Sequence, residues 1–492
     1  MAAAGRRFAG RPAVAEGGVR RDWAETADRI ARASAGLAAR GVKPGDRVAI
    51  LSFNRAAMLE ALFAIARAGA LPAPLNLRWS RDEIAEALAD IEPRLILADS
   101  AHRHLIEDAV LLDGGDWDDI VACAENPPEP PDAEAPALLL FTGGTTGRPK
   151  GVLVPSRALH ANAEVVIGLA GLAADDRCLL TAPFFHIGGA GLAYTATLAG
   201  FAQVILPGFE AGAVLSAIPQ AGITTIFLAP TMLGMMLDRP DFAPERLSSI
   251  RRLFYGASPM PEPLLRRALA VLPRARFMQA YGQTEFCPIA LLPHDDHLAA
   301  LAGDPARLRA AGRVVPGVEV RLRRPDGRLA GPGEAGEIEA RGAMAMLGYR
   351  DRPDETAATL VDGWIRTGDI GRLDGDLLTL VDRAKDMIVT GAENVYPAEV
   401  ERVLVEHPAI AACAVIGVPD PRWGERVHAI VVLRHQAEPD DIMAFCRGRI
   451  AGYKCPRSIE IRGEPLPLTA AGKVAKTVLR EPYWRGIGRG IA

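Results

Sequence analysis

From about Arg47 to Pro293, short runs rich in β-branched and large apolar residues alternate with amphipathic stretches, and this alternation limits the fold more than any other feature of the chain. Residues 48–51, 95–98, 137–142, 178–183, 202–207, 224–230 and 251–255 read as strands. Residues 55–68, 82–90, 157–169 and 262–272 read as helices between them. A helix that carries the chain back over a sheet leaves the next strand parallel to the last, so the spacing predicts an α/β fold of doubly wound, mostly parallel sheets. Residues 125–135, ENPPEPPDAEA, hold four prolines and cannot sustain a helix or a central strand, so they form a linker into the strand at 137–142. After about Asp374 the pattern changes. Residues 397–406 and 440–450 read as helices and 411–417, 429–434 and 458–462 as strands, which predicts a smaller α+β domain of about a hundred residues.

A chain of 492 residues is longer than one ordinary domain of roughly 100–200 residues, in keeping with this division. Lys and Arg number 56 against 60 Asp and Glu, a net charge of −4, so no cationic field favours nucleic acid or an anionic membrane. The six cysteines, at 123, 178, 287, 413, 446 and 455, include no CxxC pair and suggest neither a zinc knuckle nor a disulfide framework. A reducing, cytoplasmic setting is expected. The apolar run 182–206 is broken by His186 and several glycines and reads as a strand plus a buried helix, not a membrane span. Residues 1–21 are rich in Ala and Arg, a faint hint of a transit peptide; the early onset of helical patterning favours a plain bacterial start. A homodimer is compatible with the sequence.

The strand at 137–142 runs into Gly143-Gly144-Thr145-Thr146-Gly147-Arg148-Pro149-Lys150-Gly151. Glycines let backbone N–H groups turn toward an anion, the threonines add hydroxyl donors and Lys150 adds a charge, a composition suited to polyphosphate. It is not a Walker A loop, since GxxxxGK[ST] is absent, and no GxGxxG follows a strand, which removes the dinucleotide reading.

TGGTTGRPKGV at 142–152 resembles the phosphate-loop signature of the adenylate-forming enzymes, which include acyl-CoA synthetases, with Gly143 in place of the usual Ser. Tyr281-Gly282-Gln283-Thr284-Glu285 is similar to that family's YGxTE. Residues 363–369, GWIRTGD, resemble its GWxxTGD; residues 382–386, DRAKD, its hinge; and residues 467–476, PLTAAGKVAK, its C-terminal PxTxxGKxxK. These motifs occur in family order, and the likeness extends to GVKPGDRV at 41–48.

The resemblance implies an ATP-dependent acid:CoA ligase with ATP, Mg²⁺ and coenzyme A as its small molecules. It implies an N-terminal AMP-binding and acyl-binding domain at 1–382, a hinge at 383–385 and a mobile C-terminal α+β domain at 386–492. A carboxylate needs activation before a thiol can attack it, and the charge that develops on ATP must meet cations and aimed donors. The resemblance places Lys473 at the α-phosphate and the substrate carboxylate. It places Thr142, Gly143, Gly144, Thr145, Thr146, Gly147 and Lys150 around the β- and γ-phosphates, Thr284 at the α-phosphate and Glu285 on Mg²⁺. Tyr281, Gly282, Gly256, Ala257 and Ser258 correspond to the adenine site, and Asp369 and Arg383 to the ribose site. Lys385 takes the pivot position, and Gly391 the thiol passage, with Ala392 where many relatives have a second glycine. His186 resembles the histidine at the acyl entry.

No acid occurs at 183–191, where relatives that activate amino acids place an Asp for the ammonium, so an uncharged-tail acid is expected. Apolar candidate pocket segments at 186–193, 227–236 and 254–260, with Met232, Met235 and Met236, favour a medium- or long-chain fatty acid, and enlarging Gly189 or Gly256 is expected to shorten the preferred acid. The alternatives are an aryl or cinnamate-type acid:CoA ligase, or a stand-alone adenylation module that loads a carrier protein.

Overall fold

Arg47–Leu51 is buried from Val48 onward, as a strand covered on both faces must be. It pairs in parallel with Leu71–Pro74 and Leu95–Ala98, and Val110–Leu111 extends the sheet beyond the latter. Leu71–Pro74 escapes a reading of the sequence because Pro72 and Pro74 cannot donate to a ladder. It survives as an edge strand: Leu71 and Leu75 donate to the carbonyls of Asp46 and Ile50 at 2.7 and 2.8 Å, and the prolines take the alternate positions. The computed structural model describes residues 1–106, 108–142, 149–256, 260–304, 307, 310–383, 386, 388–390, 393–420, 423–447, 449–450, 452–468 and 473–485.

The chain divides into two compact units, residues 1–319 with 340–365 and residues 320–339 with 366–492. In the first unit, parallel strands run in the order Arg276–Gln283, Arg252–Gly256, Thr225–Leu228, Arg177–Leu180, Ala202–Ile205, Pro12–Glu16. The apolar run resolves into the helix Ile187–Ala199 and the strand Ala202–Ile205, joined at Gly200, whose φ of 75° is a left-handed helix end. The Trp23 indole N–H donates to the Gly200 carbonyl at 3.1 Å, and Pro12–Glu16 is a sheet strand, so the N-terminal segment is built into the fold.

The expected parallel character does not hold throughout, since Arg276–Gln283 pairs antiparallel with Phe286–Leu292. Pro136–Thr142 pairs antiparallel with Lys150–Pro155, and Gly348–Tyr349 joins the latter's other edge in a three-stranded sheet. The glycine-rich segment expected to hold phosphate is therefore flanked by two antiparallel strands, because Val152, Leu153 and Val154 continue the apolar pattern past Lys150.

In the second unit, Glu393–Val395, Ile388–Thr390, Gly424–Leu433 and Ile410–Asp420 form a sheet in that order, with Ser458–Arg462 parallel to Gly424–Leu433. Pro397–Val405 and Pro439–Arg447 cover it, burying Val400, Leu404, Ile442 and Cys446. A further helix, Lys476–Trp484, was not expected from the sequence; the Trp484 indole anchors it to the Gly417 carbonyl at 2.9 Å. All six cysteines are free thiols. Among the described residues, no helix is long and apolar enough to cross a membrane.

Candidate active site

Arg276–Gln283 and Phe286–Leu292 are antiparallel with Gln283 opposite Phe286, so Thr284 and Glu285 are the two residues of the connecting turn. The register shifts between Tyr281 and Gln283, and a Cβ on Gly282 would stand 2.9 Å from the Phe286 carbonyl oxygen. Gly282 is thus required by the close approach of its own two strands, whatever it offers a nucleotide. Tyr281 is buried on the same strand.

Glu285 is buried, and its Oε1 accepts a hydrogen bond from the Tyr349 hydroxyl at 2.7 Å. Burial, and then the adjacent Glu285 carboxylate, push the Tyr349 phenol up, so it stays protonated and donates. Lys150 opens its strand opposite Thr142; its Nζ lies 5.1 Å from the centre of the Tyr349 ring and 3.7 Å from Glu355 Oε1. One aromatic side chain therefore joins the expected phosphate lysine to the expected metal carboxylate. A cleft of about 490 Å³, lined by Pro149, Lys150 and residues 351–355, opens alongside. Tyr349 and Glu355 were not among the expected site residues; the signal was present in GYRDRPDET at 348–356, a tyrosine and three acids after a turn.

Among the described residues, no three His, Cys, Asp or Glu side chains converge as a metal site. A Mg²⁺ bound through one carboxylate and completed by substrate phosphates and water needs no such cluster, and the hard oxygens of Glu285 fit it.

His186 caps Ile187–Ala199 with an extended backbone, its carbonyl accepting the N–H groups of Gly189 and Ala190, each at 3.0 Å. The turn before it is clamped by the buried Asn54, whose amide donates to the Ala182 carbonyl at 2.8 Å and accepts the Phe184 N–H at 3.0 Å. A Cβ on Gly188 would meet the half-buried Phe227 ring at an ordinary 3.5 Å. A Cβ on Gly189 would lie 2.2 Å from the Pro183 carbonyl oxygen, and one on Gly256 2.7 Å from that of Ala280. The expectation for these last two is corrected: both glycines are demanded by neighbouring backbone, and enlarging them strains the fold instead of shortening a pocket. The methionines separate in the same way. Met236 is core, Met232 packs at the edge of that core, and Met235 is exposed.

In the second unit, Asp369 and Arg383, the two residues expected at the ribose, stand directly opposite each other on the antiparallel strands Trp364–Asp374 and Leu377–Arg383. Gly368 has a φ of 69°, and its N–H donates to Glu337 Oε1 at 3.1 Å; the Asp369 N–H donates to Thr367 Oγ1 at 3.1 Å. A bridge between Leu468 and Val474, and an Ala475 N–H to Pro467 carbonyl bond of 2.8 Å, close the turn that carries Lys473. Lys476 pairs with Glu401 at 2.8 Å, which makes it structural. Thr142, Lys150, His186, Gly256, Tyr281, Gly282, Thr284 and Glu285 belong to the first unit and Asp369, Arg383 and Lys473 to the second. Gly143, Gly144, Thr145, Thr146, Gly147, Ala257, Ser258, Lys385, Gly391 and Ala392 lie outside the described residues.

A family model described as AMP-binding enzyme matches residues 1–350, and one described as AMP-binding enzyme C-terminal domain matches residues 399–473. A feruloyl-CoA synthase of an Amycolatopsis species is 41% identical over 487 residues, which covers 96% of this chain and 96% of that one. An indoleacetate–CoA ligase of Aromatoleum aromaticum is 39% identical over 480 residues, covering 93% and 92%. The solved structure of o-succinylbenzoate CoA synthetase from Bacillus subtilis, in complex with its acyl-adenylate intermediate, matches with a TM-score of 0.85 at 31% identity over 97% of each chain.

Proposed function

This chain belongs to the family of AMP-binding enzymes and is an AMP-forming acid–thiol ligase, and we propose that it joins an aromatic acid of the cinnamate or arylacetate type to coenzyme A through an acyl adenylate. The observation that carries the aromatic reading is the nearly full-length likeness to two ligases named for aromatic acids. The fatty-acid reading, which led from the sequence, gives way to it. The apolar segments on which it rested do not distinguish an alkyl chain from an aryl group, and of the three methionines Met236 is core, Met232 lies against that core and Met235 is exposed. The Phe227 ring beside Gly188 offers an aromatic wall that supports an aryl ligand.

In the first step a carboxylate oxygen attacks the α-phosphorus of ATP, forming an acyl–phosphate bond as the bond to pyrophosphate breaks. In the second, the thiol of coenzyme A attacks the acyl carbon and AMP departs. On this reading Thr142, Lys150 and the loop between them hold the β- and γ-phosphates, and Glu285 holds a Mg²⁺ that, when bound, neutralises phosphate charge. Tyr281 receives adenine, Asp369 and Arg383 the ribose, and Thr284 and Lys473 the α-phosphate, with Lys473 also meeting the carboxylate. His186 lines the acid's entry, held by the Asn54 clamp. No carboxylate occurs at 183–191, so an ammonium-bearing acid would bury an unpaired charge at a cost of several kcal/mol.

The test is kcat/KM across hydroxycinnamic, arylacetic and straight-chain acids with ATP and coenzyme A. Aromatic acids are expected to lead. A straight-chain fatty acid with the higher kcat/KM overturns the aromatic reading while leaving the ligase class intact.

A further inference from the structure

Segment 346–350 binds both the strand that Lys150 begins and the turn that holds Glu285. The Met346 N–H donates to the Glu285 carbonyl at 2.9 Å; the Leu347 N–H donates to Leu153 at 2.9 Å and the Arg350 N–H to Gly151 at 2.8 Å. Tyr349 sits opposite Val152, and its own N–H donates to Thr356 Oγ1 at 2.9 Å, so its backbone is fixed on two sides. From that anchor its side chain repeats the connection: the hydroxyl donates to Glu285 Oε1 at 2.7 Å, and the ring presents its face to the Lys150 ammonium at 5.1 Å. A phenol can do both at once, because its edge carries a strong donor while its face attracts a cation. Phenylalanine could do only the second, and a serine or histidine could not span both.

Resting on the reading in which Glu285 meets Mg²⁺ and Lys150 meets the terminal phosphates, we propose that Tyr349 is a positioning residue that holds the metal carboxylate and the phosphate ammonium in fixed relation before ATP arrives. Its hydroxyl orients the first and its ring the second. Its value lies in pre-organisation: one rigid side chain contacts both charged groups, so ATP meets them already aimed. Lys150, Glu285 and Tyr349 are separated by 135 and 64 positions along the chain, and segment 346–350 brings them together through its backbone hydrogen bonds and strand pairing.

The two roles separate by substitution, with nucleotide binding measured on the full chain by calorimetry. Tyr349→Phe keeps the ring and removes only the hydroxyl. It is expected to raise the Kd for ATP with Mg²⁺ by about tenfold or more, the usual effect of losing a hydrogen bond to a charged group. The Kd for ATP in EDTA and for AMP should stay at parental values. Tyr349→Leu, which removes the ring as well, should also raise the Kd for ATP in EDTA. In a Glu285→Gln background the Tyr349→Phe effect should vanish, and this cycle decides the matter even if one variant is thermally weakened. Unchanged MgATP binding in Tyr349→Phe, an equal loss for all three nucleotide conditions, or persistence of the effect in Glu285→Gln each overturns the proposal. A parent that binds neither ATP nor AMP instead defeats the functional reading on which it rests.

Discussion

Gly188 and Gly189 are adjacent, yet they are glycine for different reasons. The second faces the carbonyls of Ala182 and Pro183, at 2.5 and 2.2 Å from where a Cβ would stand, while the first faces only the Phe227 ring at 3.5 Å. Gly189→Ala should therefore cost about 1–3 kcal/mol through overpacking, lower the melting temperature and depress turnover of every acid alike. Gly188→Ala should leave the melting temperature unchanged or slightly raised, because alanine favours the helix it enters, and should lower kcat/KM for a bulky substituted cinnamate relative to a benzoate-sized acid. Melting curves together with that kcat/KM ratio check both; an unaltered ratio in Gly188→Ala would remove Phe227 and Gly188 from the acyl wall. A sequence can show that glycines cluster after Phe185, but not which carbonyl crowds which one. The same limit hid Tyr349, whose importance lies in partners far along the chain.

At the scale of elements, the strand Arg252–Gly256 and the helix His294–Leu301 are tied by Tyr255 and His297. The His297 Nδ1 lies 2.8 Å from the Pro293 carbonyl oxygen and its Nε2 2.7 Å from the Tyr255 hydroxyl, which also reaches Gln279 Oε1 at 2.9 Å. Burial lowers the His297 pKa from 6.5 to about 4, so the folded chain holds it neutral while the unfolded chain takes up a proton. Its contribution is therefore complete above pH 6.5 and is lost as pH falls toward about 4, a change of at most about 3 kcal/mol. Urea midpoints at pH 7 and 4.5 should diverge less in His297→Gln than in the parent; equal divergence would mean that this histidine does not govern the window. The core strands were legible because burial on both faces leaves an uninterrupted apolar run. Leu71–Pro74 and Gly348–Tyr349 were not, since edge strands only two to four residues long carry too little pattern of their own.

For the whole molecule, the five motifs could be read as words in the chain, and two of their residues, Asp369 and Arg383, face each other across a strand pair. The joining of Lys150 to Glu285 could not be read, because it depends on a third segment, 346–350, that the motifs do not include. Lys473 belongs to the second unit and is assigned to the first chemical step only. Lys473→Ala should slow acyl-adenylate formation by about 10²–10³ while leaving thioester formation from supplied adenylate near the parental rate. Pyrophosphate exchange and a thioester assay check the two steps separately, and equal losses in both would contradict the assignment. The central claim, that an aromatic acid passes through an acyl adenylate to coenzyme A, is tested most directly by mass spectrometry of a single-turnover reaction with a hydroxycinnamic acid, ATP and Mg²⁺, from which coenzyme A is first withheld. The account predicts that aryl adenylate and pyrophosphate accumulate and that adding coenzyme A converts the adenylate to aryl-CoA and AMP; ADP in place of AMP, or no adenylate from any aromatic acid, would contradict it.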